Sequence, residues 1–170
     1  MNLLDFDREQ AGRAILGVLE SDLPAILSAY QAAATPTIAL PAPVTWEYSA
    51  EPGSLRTDGP LGWVRGGATE TVDSMPGRDA VSCTYEVLVL WHNEAITQLE
   101  LQAVGDRYSY CVRKALLAHA HTALKGDGVL FGGYAGGAWV TGIGAGEIVT
   151  EEYMGVATCT LRLLGGSAHL

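Results

Sequence analysis

VSCTYEVLVLWHNEAITQLELQAVGDRYSYCVRKALLAHAHTALK, residues 81–125, changes its hydrophobic period partway along, and that change decides the fold. Val81, Cys83, Tyr85, Val87, Val89 and Trp91 alternate with other residues to make one unbroken apolar face, which predicts a strand over 81–91. On its other face Ser82, Thr84 and Glu86 give way to Leu88 and Leu90, so the first half is expected to be covered on one side and the second half on both. Such a strand belongs in the middle of a sheet. From Arg107 the period becomes helical: Tyr108, Cys111, Val112, Ala115, Leu116, His119 and Ala123 share a stripe, and Gly126 and Gly128 end it. A polar join separates the two.

Upstream, residues 7–20 read as a helix with Ala11, Ala14, Ile15, Val18 and Leu19 on one side. Pro24 suits the first turn of a second helix, capped by Ser21 or Asp22 and running to about Ala34. The proline-punctuated TPTIALPAP (35–43) is an extended connector, and Val44, Trp46 and Tyr48 then alternate as a strand. Residues 50–80 are rich in glycine and proline; they predict one short strand around 61–65 within a long loop or flap. Downstream, 129–154 reads as a glycine-rich hairpin region. A last strand follows, with Ala157, Cys159, Leu161 and Leu163 facing one way and Val156, Thr158, Thr160 and Arg162 the other. The sum is an α+β fold in a single domain over 1–170: a mostly antiparallel sheet with N-terminal helices and one long central helix on one face.

Nineteen acids against ten bases give a net charge of −9, which opposes binding to a polyanion through clustered lysine and arginine. The same balance suits a wall past which DNA slides without adhering. No apolar run reaches the length of a membrane span, so no membrane partner is expected. MNLLDFDREQ has early acids and no basic stretch, so a secretory signal is not expected either, and the chain reads as cytoplasmic.

Candidate chemistry is sparse. The three cysteines, Cys83, Cys111 and Cys159, sit singly among apolar neighbours and read as buried thiols. His119 and His121 diverge on a helix and cannot converge on one ion, so no metal is expected. TGIGAGE (141–147) has the spacing GxGxG and no following βαβ unit, so it reads as bulged hairpin and not as a dinucleotide loop. GGYAGG (132–137) is tightly turned or flexible backbone, and neither a phosphate loop nor a GxSxG elbow is present. Neither an enzyme activity nor a cofactor is expected.

The order of elements, with YEVLVLWH leading through a polar join to RYSYCVRKALLAH and ending in GVATCTLRLL, resembles the tail terminator (tail completion) proteins of long-tailed bacteriophages. More loosely it is similar to the head–tail joining (neck) proteins. That resemblance implies a virion structural protein, assembled in the host cytoplasm, whose homo-hexameric ring caps the tail tube. Its partners would be copies of itself, the tail tube protein and a neck or head-completion protein, with DNA passing through the lumen without sequence-specific binding. The segments too long or too glycine-rich to serve the core are the candidate subunit contacts, with Leu55, Leu61, Trp63 and Trp139 as interface residues. Glu70, Asp73, Glu147, Glu151 and Glu152 are the candidates for the channel lining. Two alternatives stay open: another neck component such as a head-completion or stopper protein, and a small α+β ligand-binding protein or enzyme.

Overall fold

The computed structural model describes residues 7–51, 59–75, 78–92, 97–124, 139–151 and 154–168. In chain order the elements are α1 (Arg8–Ala33), β1 (Thr45–Tyr48), β2 (Leu61–Met75), β3 (Arg78–His92), α2 (Gln98–Leu124), β4 (Trp139–Glu151) and β5 (Met154–Ala168). The strands form one sheet in the order β1-β2-β3-β5-β4. Every pairing is antiparallel except β1 with β2. The fold is α+β.

Strand β3 occupies the centre, and its alternation holds. Val81, Cys83, Tyr85, Val87, Val89 and Trp91 are all buried beneath the helices. Cross-strand partners share a face, so Ala157, Cys159, Leu161 and Leu163 of β5 are buried with them. Leu88 and Leu90, on the other face, are only half-buried. The second half of the strand is therefore less covered than its composition predicts, because both helices lie on the opposite side.

The two expected N-terminal helices are one. Ala11, Ile15, Leu19, Leu23 and Leu27 recur every fourth residue as a single buried stripe that runs through Pro24. A proline inside a helix costs about 3 kcal/mol, and burying the leucines on either side of it offsets that. The N-cap is Asp7, whose carboxylate accepts from the Glu9 and Gln10 amides at 2.9 and 3.1 Å.

Helix α2 begins at Gln98, well before Arg107. Thr97 and Glu100 form a capping box: the Thr97 amide donates to Glu100 Oε2 at 2.8 Å, and the Glu100 amide donates back to Thr97 Oγ1 at 3.4 Å. Its buried residues Leu101, Val104, Tyr108, Cys111, Val112, Ala115 and Leu116 meet α1 and the sheet in one core.

The flap expected over 50–80 is largely strand. β2 extends to Met75 and turns back into β3, with β-bulges between Gly66 and Thr69 and between Thr71 and Asp73. β4 is likewise continuous, with bulges between Val140 and Gly142 and between Ala145 and Ile148. Residues 129–138 of the glycine-rich region lie outside the described residues. Glycine is required where the indole of Trp91 crosses β5: a Cβ on Gly155 would sit 2.2 Å from its Cζ2.

Candidate interaction surfaces

One face of the sheet carries both helices; among the described residues the other carries no helix, although Leu61, Trp63 and Ser82 are buried on it. Its open side presents Arg65 of β2, Glu86 and Leu90 of β3, Val156, Thr158, Thr160 and Arg162 of β5, and Val149 of β4. Arg65 forms an ion pair with Glu86 and stacks its guanidinium over the Trp63 ring at 5.2 Å. Arg162 Nε donates to Ser82 Oγ at 2.8 Å. Towards one end the face turns apolar: Leu90, Val149, Met154 and Val156 line a groove of about 290 Å3 with Glu151 at its rim. Val149 and Met154 are exposed there.

The expected interface residues separate. Leu61 and Trp63 are 1% and 5% exposed within the single chain, and Trp63 Nε1 donates to the Ser49 carbonyl at 3.1 Å. Both belong to the chain's own packing and are not free to meet a neighbour, because the 61–65 segment is the paired start of a long strand and not part of a flap. Leu55 lies outside the described residues, as does the side chain of Trp139, whose backbone opens β4.

Glu70, Asp73, Glu147 and Glu151 are all exposed, while Glu152 lies outside the described residues. One subunit does not bring them together. Glu70 aligns with Ser82 of β3, whereas Glu151 pairs with Met154, which aligns with His92 at the far end of the same strand. At about 3.3 Å per residue those two levels are roughly 33 Å apart. They also lie towards opposite edges of the sheet.

Beyond the strand edge covered by β1, residues 67–74 of β2 are exposed on both faces, Val72 to 47%. Alternation is therefore lost on this stretch: neither side meets a core.

The helix layer holds the titratable pair that sequence reasoning missed. His119 was expected on the buried stripe, but it is only partly covered and its Nε2 lies 2.7 Å from Asp22 Oδ2, joining α2 to α1. The hydrogen bond from His119 holds the Asp22 carboxyl below its ordinary range. An α1 without a break at residues 21–22 is what aims Asp22 at α2, and no spacing rule in the sequence links the two.

All three cysteines are free and buried. Burial pushes each thiol up, Cys111 to about 11, so none is a ready nucleophile at neutral pH. Among the described residues no three His, Cys, Asp or Glu side chains cluster as metal ligands. No helix among them is long and apolar enough to cross a membrane. What remains is a set of surfaces: an open sheet face, an apolar groove at one end, and two strand edges.

No protein-family model matches the chain, and no curated protein does. A solved structure whose name states no activity aligns with 91% of this chain and 95% of its own, at 13% identity and a TM-score of 0.37. A likeness that slight carries no argument about function.

Proposed function

We propose that this chain is a tail terminator of a long-tailed bacteriophage, a virion subunit whose hexameric ring caps the tail tube and joins it to the neck while DNA passes through. The observation that carries this reading is the stretch 67–74 of β2, hydrogen-bonded to β3 along one edge yet exposed on both faces. A strand gains stability by covering a face, so a stretch left open on both sides is suited to completion by a neighbouring subunit.

Three further features support the reading. The order of elements resembles that family. Among the described residues both helices lie on one side of the sheet and none on the other, which gives two unlike surfaces, as a ring needs when its tail side and neck side differ. The net charge of −9, with Glu70, Asp73, Glu147 and Glu151 all exposed, suits a conduit that does not hold DNA. Leu61 and Trp63 have no part in this proposal.

Electron microscopy of particles made by a phage lacking the protein tests the function. Tails of uncontrolled length without heads are the expected outcome. Normal-length tails joined to heads would overturn the reading.

A further inference from the structure

The sheet has two open edges among the described residues. β1 pairs with β2 only from Leu61 to Val64, which leaves 65–75 without a strand on that side. β4 is the outermost strand at the other side. Successive strands β2, β3, β5 and β4 alternate in direction, so β2 and β4 run opposite ways. Setting residues 140–149 of one copy beside 65–74 of the next would continue the antiparallel sheet as far as the end of β1, where Thr150 and Glu151 would leave the pairing.

We propose that copies of this chain join head to tail through these two edges, in one defined register. The inference rests on the ring reading above and names the contact that closes it. Each edge carries two bulges, and a bulge inserts a residue and so moves the following side chains to the other face. Two doubly bulged edges keep their faces in phase only where the bulges fall opposite one another. On β2 they lie between Gly66 and Thr69, then Thr71 and Asp73. On β4 they lie between Val140 and Gly142, then Ala145 and Ile148. Run antiparallel, Gly66/Thr69 meets Ala145/Ile148, and the second bulges fall one residue apart, with Val72 opposite Gly142 and Asp73 opposite Thr141, so that the faces are back in phase at Ser74 and Val140.

This alignment sets Arg65 opposite Val149, Gly66 opposite Ile148, Thr69 opposite Ala145, Glu70 opposite Gly144 and Thr71 opposite Ile143. Within each chain, Arg65, Glu70, Gly144 and Val149 align with open-face residues of β3 or β5. Gly66, Thr69, Thr71, Ile143, Ala145 and Ile148 align with residues of the helix-covered face. Every pair therefore matches face to face, and a slip of one residue would break all five.

Charge agrees. Glu70 meets a glycine, and Glu147 falls beside Gly67 and Ala68. Pairing β2 with β2, or β4 with β4, would bring each acidic stretch against its own copy, where like charges repel. Bulged edges also resist indiscriminate pairing. The contact joins unlike patches, the kind that closes rings.

Disulfide trapping tests the register. Directly opposite residues in an antiparallel pair have Cβ atoms about 4.5–5.5 Å apart, close to what a disulfide takes. The native cysteines are buried and do not compete. Chains carrying Arg65→Cys and chains carrying Val149→Cys are mixed, assembled on tail tubes or at high concentration, and oxidised. A covalent dimer is expected from the mixture and from neither chain alone. Replacing Arg65→Cys by Ser74→Cys moves the thiol about 23 Å along the edge, the rise of the β3 residues between their partners Glu86 and Asp79, and should abolish the product. Dimers of either chain with itself, equal trapping by Ser74→Cys, or rings that form without any cross-link would overturn the inference and leave the ring reading intact. Wild-type chains that never assemble, alone or on tubes, would overturn both.

Discussion

Replacing Leu116 by Ala tests the arrangement of the core most sharply. Leu116 is 0% exposed, in the cluster where α2 meets α1 and the sheet. The change removes three carbons, which at about 0.8 kcal/mol each withdraws roughly 2.4 kcal/mol of burial. The cavity left behind adds about 24 cal/mol per Å3, so an uncollapsed void of about 80 Å3 contributes roughly 2 kcal/mol more. A loss of about 2.5–4.5 kcal/mol is expected, a large part of the 5–15 kcal/mol that typically holds a domain together. Leu117 is the control: it is the next residue of the same helix and is 44% exposed. Leu117→Ala should cost less than about 0.5 kcal/mol, the usual range for surface substitutions. Urea unfolding followed by circular dichroism measures both, with stability read from midpoints at unchanged slope. If Leu116→Ala cost under about 0.5 kcal/mol, or less than Leu117→Ala, the stripe of α2 would face the wrong way and the reasoning would fail.

Gly155→Ala should destabilise by about 1–3 kcal/mol, as overpacking does, because its new Cβ meets the Trp91 ring; unfolding midpoints check this, and a neutral result would mean that the indole lies elsewhere. Thr97→Ala breaks the α2 capping box and should cost about 1 kcal/mol, with amide exchange accelerated in the first turn of that helix and not in α1. Asp22 contributes stability that is present above its ordinary pKa of 3.8 and is lost as pH falls through its lowered folded value. The stability gap between wild type and Asp22→Asn should therefore be full at neutral pH and close under acid, and a gap that widens under acid would refute the assignment. Finally, Cys83, Cys111 and Cys159 should label with iodoacetamide at pH 8 only as fast as the chain opens, since burial raises all three thiols; prompt labelling of any one would contradict its placement.

The elements that bury one full face were legible in the sequence. β3 and β5 alternate without interruption because one side of each meets the helices, and Tyr108 to Leu116 repeat helically because one stripe meets the sheet. Where the structure is not two-sided, pattern fails. Residues 67–74 of β2 are exposed on both faces, so nothing in Thr69, Glu70, Thr71 and Asp73 marks a strand. In β4, glycines at 142, 144 and 146 and two bulges break the period. The early start of α2 was visible in principle, since Thr97 and Glu100 hold the capping-box spacing. Pro24 misled because a helix break there is the local preference, while the tertiary stripe from Ala11 to Leu27 overrides it. Of the candidate surfaces, the exposed acids were legible from charge alone. The burial of Leu61 and Trp63 and the pairing of Asp22 with His119 depend on contacts far apart in the chain.

The central claim is a position in the virion, and labelling tests it directly. Tails and intact particles carrying an epitope-tagged copy of the chain are imaged by electron microscopy with a gold-conjugated antibody, and its copy number per tail is measured by quantitative mass spectrometry. A hexamer's complement confined to the head-proximal end of each tail is the predicted result. Label spread along the tube or over the capsid, or a chain absent from purified particles, would contradict it.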